Sequence, residues 1–122
     1  MSSSIDYDRL ILRQRLLQRH PYCALCRVQK ATDLHEIVSR GRTASNHEAR
    51  RLSYVAELVV PLCRACHERA HNPAIRKRLL AYNISLYGRE RVVKALEVVQ
   101  EHLHHQLDIW SDLEEVLNET RT

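Results

Sequence analysis

Two pairs of cysteines, Cys23-Ala-Leu-Cys26 and Cys63-Arg-Ala-Cys66, constrain this chain more than any other feature. Each pair sets two sulfurs on one tight turn, close enough to share a metal ion. Zinc takes four such ligands in a tetrahedron, at about 2.3 Å from each sulfur. The alternatives are two disulfides or four buried thiols. A reducing compartment disfavours disulfides. A redox CxxC belongs beside a βαβ pattern, which this chain lacks. The cysteines therefore read as ligands of one structural zinc, tying the N-terminal third of the chain to its middle.

A chain of this kind gains from such a tie. It has 122 residues, no Phe, one Trp and only 5% aromatics, so its core must come from Leu, Val and Ile. A metal offsets part of the ordering entropy that a modest core leaves uncovered. The length predicts a single domain over 1–122. Two Gly and three Pro argue against a turn-dense β-sandwich. No apolar run approaches the roughly 18 residues of a membrane span. Met1-Ser-Ser-Ser leads into charged residues rather than a signal peptide. The expected location is cytoplasmic, with no membrane partner.

Charge is divided along the chain. The first 100 residues hold 18 Lys and Arg against nine Asp and Glu, and the last 22 hold one against six. A basic body suits a polyanionic partner.

The pattern predicts an α+β, mainly helical fold. Asp6 to Arg19 reads as a helix with Asp6 and Asp8 at its positive end, stopped by Pro21. Asp33 to Val38 and Leu58 to Leu62 read as short strands. Ser39 to Arg51 reads as a polar, basic loop that opens into helix. Arg64 to His71 reads as a helix, broken or re-capped at Asn72-Pro73. Ala74 to Tyr87 is an amphipathic helix ended by Gly88. Arg89 to Asn118 reads as one long helix with a stripe at Leu96, Val99, Leu103, Gln106, Trp110, Leu113 and Leu117. That stripe has two readings, a helix packed on its own domain or a homodimer seam.

Eight histidines invite a search for a second metal site. His67 and His71, four apart on the predicted helix, would share one face. The zinc turns would bring His35 and Glu36 on the first strand toward them. His102, His104 and His105 read as a solvated face.

These residues resemble the HNH endonuclease family, with its zinc-stapled ββα-metal (His-Me finger) core. The resemblance rests on Cys23-x-x-Cys26, Asp33-Leu-His-Glu-Ile37 and Val60-Pro-Leu-Cys-Arg-Ala-Cys-His67, followed by His71. Arg50-Arg-Leu-Ser53 is similar to small phage-type members. The match covers Tyr22 to His71, less than half the chain. It implies a core over 20–72, flanked by the N-terminal helix and by a long helical extension over 74–118. It also implies a divalent ion (magnesium, manganese, nickel or zinc) at Glu36, His67 and His71, with His35, Glu36 and His67 catalytic. In register, His35 is a metal ligand and Glu36 holds the base position. By chemistry, His35 is the better base and Glu36 the harder ligand, and that assignment is preferred at this point. The family Asn is missing: its two usual positions are Leu58 and Ala49, with Asn46 and His47 the nearest substitutes. DNA phosphates would meet Arg40, Arg42, Arg50, Arg51, Arg64 and Arg69.

The resemblance implies a metal-dependent DNA endonuclease cutting one strand or both. A non-catalytic zinc module that binds nucleic acid is the second reading. A dimerisation protein built on the C-terminal stripe is the third.

Overall fold

Pro21 has no backbone N–H, so a helix cannot run through it, and the first helix, α1 (Ser3–Arg19), stops just before it. A computed structural model describes residues 3–119, with side chains from residue 7 onward. Asp6, expected at the positive end of α1, lies outside the described side chains. After α1 the chain makes the first cysteine turn. Its knuckle closes with Arg27 N–H donating to Cys23 O at 2.9 Å, and Arg27 sits in the left-handed region at φ 61°.

Two four-residue strands follow the expected order, β1 (Asp33–Glu36) and β2 (Val59–Leu62). They pair antiparallel, with Asp33 opposite Leu62 and Glu36 opposite Val59. Pro61 costs this small sheet nothing at its edge, and its carbonyl accepts from Ala24 N at 2.9 Å. Both strands are shorter than the sequence pattern suggests.

The basic loop between them is largely helical. It holds α2 (Arg40–Thr43), α3 (His47–Ser53) and a 3-10 turn at Ala56–Leu58. Asn46 starts α3, its side chain accepting from Ala49 N at 2.9 Å. After β2 comes α4 (Arg64–Glu68), ending three residues before the predicted helix does. Asn72 then caps α5 (Pro73–Tyr87), accepting from Ala74 N at 2.9 Å, with Pro73 at its first position. That is the placement where a missing N–H is harmless. Gly88, at φ 94°, turns the chain into α6 (Arg89–Gln100). A side chain there would be strained.

The single long helix expected over Arg89–Asn118 is not formed. α6 ends at Gln100, and a separate helix, α7, spans Ile109–Glu119. Gln100 makes the break. Its Oε1 accepts from Leu107 N and from Trp110 Nε1, each at 2.9 Å, and its Nε2 donates to His105 O at 2.7 Å. Asn46 Nδ2 donates to His102 O at 2.8 Å. These side chains satisfy backbone groups that the helix would otherwise have paired. His102, His104 and His105 are exposed as expected, but on this link rather than on a helix face.

Leu96, Val99, Leu113 and Val116 are buried together with Leu58, Leu80 and Val92 in one core. The stripe thus packs on its own chain instead of lining an extended seam. A second core gathers Cys23, Cys63, Cys66, Val60, Leu62 and Leu79, and Ile37 packs against both. Fully burying a Leu or Val contributes about 1.5–3 kcal/mol.

Asn83 sits fully buried on α5 and donates to Glu57 O and Val59 O, both at 3.0 Å. It pins the start of β2. Asn83→Ala strands two buried carbonyls and is expected to cost about 2–4 kcal/mol. Urea unfolding checks it, and a loss under 0.5 kcal/mol (about the range of a plain surface change) would refute the pinning role.

The fold is α+β, mostly helical, with one two-stranded sheet and a four-cysteine cluster beside it. No helix among the described residues is long and apolar enough to cross a membrane.

Candidate metal centre and its histidine neighbours

The Sγ atoms of Cys23, Cys26, Cys63 and Cys66 lie within 4.8 Å of one another, and all four cysteines are free of disulfides. Zinc–sulfur bonds of about 2.3 Å set tetrahedral sulfurs roughly 3.8 Å apart, so the four residues fit such an ion. Their electrostatics point the same way. Burial pushes Cys23 up, but the N–H groups of Cys26, Cys63 and Leu25 outweigh it and bring the thiol down to about 6. Burial, with the Cys63 sulfur alongside, pushes Cys66 up to about 12. A cation among them removes that conflict, because a metal-bound thiol is deprotonated.

The cluster fixes the end of β2 and the start of α4, where Cys63 is the residue between them, and β1 pairs with β2. Alternation along β1 puts Asp33 and His35 on one face and Glu36 on the other. The His35 and His67 rings meet edge to face, with centroids 5.4 Å apart and planes at 76°. His67 Nδ1 lies 2.9 Å from Asp33 Oδ2. With Nδ1–H donating to the carboxylate, Nε2 is left as the lone-pair nitrogen, the arrangement a metal-binding imidazole needs. Arg64 Nε also donates to Asp33 Oδ2, at 2.8 Å. Burial raises the Asp33 carboxyl, but His67, Arg64 and Thr32 outweigh it and hold it below its ordinary value. Sequence reasoning missed Asp33. Its signal was a carboxylate two residues before His35 on the same strand face.

His71 is not on a helix face with His67, because α4 stops at Glu68 and residues 69–72 turn toward α5. It reaches the site differently, lining with His35 a cavity of about 220 Å³. Glu36 faces away toward Arg9, Arg40 and Arg50. Burial raises its carboxyl, and those arginines pull it partly back. Its Oε1 is buried without a hydrogen-bond partner, as is Arg9 Nε, while Arg9 stacks on Tyr54 at 4.8 Å. Among the described residues the four cysteines are the one group of three or more potential ligands whose donor atoms converge. Glu36, His67 and His71 are not gathered in that way.

The positions of the family Asn are closed. Leu58 and Ala49 are both fully buried in the core. Asn46 uses both ends of its amide, one on α3 and one on His102. His47 is exposed.

The six arginines scatter. Arg64 holds Asp33, Arg51 pairs with Glu48 on its own helix, and Arg42 pairs with Asp108 at 2.5 Å. Arg69 reaches the Cys66 sulfur at 3.7 Å. Arg40 is exposed near Glu36, and the Arg50 carbonyl accepts from Arg9.

Burial, with His67 and His71 close by, lowers His35 to about 4. In the unfolded chain an imidazole titrates near 6.5. Between those values the unfolded state binds the extra proton. Stability is therefore full above about pH 6.5 and falls as the pH drops toward 4, by up to about 1.4 kcal/mol per unit. Urea unfolding of the zinc-loaded protein at about pH 7 and 5.5, with His35→Gln alongside, reads this directly. An equal loss in His35→Gln would assign it to other groups.

No family model matches this chain, and no curated protein or solved structure matches it.

Proposed function

We propose that the chain is a metal-dependent DNA endonuclease of the HNH type, hydrolysing phosphodiester bonds on a zinc-stapled ββα core. The carrying observation is the pair of facing imidazoles, His35 and His67, with His67 oriented by Asp33 beside the four-cysteine cluster. β1, β2 and α4 follow in the order such a core requires.

In this reading His35 and His67 would hold a divalent ion, with His71 lining the cavity beside His35. That ion would supply positive charge to the phosphate being cut. Glu36, facing away from the imidazoles with its Oε1 buried, would neither hold that ion nor take a proton from a water beside it. That leaves imidazole, the better base near neutral pH, to take the proton of the attacking water. Arg40, Arg64 and Arg69, all exposed, offer charge to the phosphates on either side.

Nicking of supercoiled plasmid with magnesium or manganese tests the proposal. Cleavage by the wild type and none by His35→Ala is the expected result. A salt-sensitive gel shift with no cleavage under any metal would establish the second reading, a zinc module that binds nucleic acid. The buried Leu58 and Ala49 at the Asn positions favour that reading.

A further inference from the structure

The cavity that holds His35 and His71 is walled on its other side by the acidic end of the chain. Asp108 and Asp112 line it together with Arg42 and Arg76. Arg42 Nη2 lies 2.5 Å from Asp108 Oδ2, and Arg76 Nε lies 3.3 Å from Asp112 Oδ2. The partners are far apart in sequence, so the pairs exist only because α7 folds back over the core. We propose that Arg42 and Arg76 form a phosphate-binding subsite at the mouth of this cavity. In the free protein Asp108 and Asp112 occupy it as stand-ins for the DNA backbone. This rests on the nuclease reading and extends it to where a flanking phosphate sits.

Three observations carry the inference. The chemistry is interchangeable, since a guanidinium donates to carboxylate and phosphate oxygens through the same N–H groups. The location is specific: both arginines border the cavity that His35 shares with His71, and Arg76 lies outside the sequence block that resembles the nucleases. The contact is exchangeable at Arg42, where the side chains of Arg42 and Asp108 are 52% and 68% exposed. An exposed pair of this kind holds weakly. Asp112, 11% exposed, is the fixed member. The division of charge along the sequence thus has a structural use. The acidic end covers two cations of the basic body beside the candidate site, and a polyanion must displace it.

The test is binding of a duplex of about 20 base pairs by the zinc-loaded protein without added divalent ion, followed by fluorescence anisotropy across a salt series. D108N/D112N is expected to bind about three- to tenfold tighter than wild type, with a steeper salt dependence. E101Q/E114Q makes the same charge change at exposed positions that do not line the cavity, and is expected to gain clearly less. Adding R76Q to D112N should cancel that variant's gain and lower the salt slope by about one. Should the double variant lose its fold by circular dichroism, D108N, at an exposed position, carries the comparison alone. Equal gains in D108N/D112N and E101Q/E114Q would overturn the subsite in favour of general charge. Plasmid cleavage by the wild type with unchanged binding in D108N/D112N would overturn the subsite and leave the nuclease reading standing. No DNA binding in any form would overturn both.

Discussion

Cys66→Ser, or removal of metal by a strong chelator, is expected to unfold residues 20–72 and with them most of the chain. Cys66, on α4, is buried against the core that holds Val60 and Leu62 of β2, and its sulfur belongs to both the cysteine cluster and that core. Zinc binding in small modules contributes on the order of 10 kcal/mol or more to the folded state, while a domain of this size has only about 5–15 kcal/mol in total. Losing one of four ligands therefore removes a share that the remaining core cannot replace. Metal analysis should find one zinc per chain in the wild type. Circular dichroism should show loss of the cooperative thermal transition in Cys66→Ser, and the chelated protein should match it. A variant free of zinc that still melts cooperatively near the wild-type temperature would mean that the cysteines are ordinary core thiols.

In the proposed nuclease, His67→Ala is expected to bring DNA cleavage down to background, with Asp33→Asn lying between it and the wild type. His67 is the imidazole that α4 turns toward His35, and with its Nδ1–H donating to Asp33 its Nε2 is left for a metal ion. Removing the ring removes a donor. Replacing the carboxylate by an amide keeps the ring but loosens its orientation and lowers its basicity, a change worth about 10- to 100-fold in metal affinity or activity. The Asp33→Asn protein should therefore recover part of its rate as the magnesium or manganese concentration rises, whereas His67→Ala should not. Equal, metal-insensitive losses in both would point to a structural effect of the Asp33–Arg64–His67 network. Full activity in both would remove His67 from the mechanism.

Several elements were legible residue by residue. The cysteine spacing announced the cluster, because the chemistry of a tetrahedral thiolate site leaves few alternatives. Asn72-Pro73 and Gly88 bounded α5 as expected, since capping and positive φ are local demands that single residues meet. His35 and His67 were predicted to approach each other, and they do, because His67 directly follows Cys66 and His35 sits opposite Val60 on the strand that Cys63 ends.

Other features were not legible. The stripe from Leu96 to Leu117 keeps its 3-4 spacing through the break at Gln100, with only Gln106 polar. A straight helix and a folded-back pair whose two arms face the same core require the same spacing of Leu and Val. No Gly or Pro marks the turn; Gln100 and Asn46 make it by capping backbone groups from a distance. The helices of the basic loop were anticipated only as a loop opening into helix, without bounds, since polar residues carry little periodic signal.

What the sequence determined by itself is thus the four-cysteine cluster, announced by ligand chemistry and spacing, and the caps and turns, fixed by covalent neighbourhood. What only the tertiary structure decided is which distant side chains meet. Asp33 with His67, Glu36 among Arg9, Arg40 and Arg50, and Asp108 and Asp112 over Arg42 and Arg76 all depend on how α1 and α7 close on the core. A charge carries no mark of its partner along the chain, and the partner is chosen by the packing of the apolar faces that bring the two together.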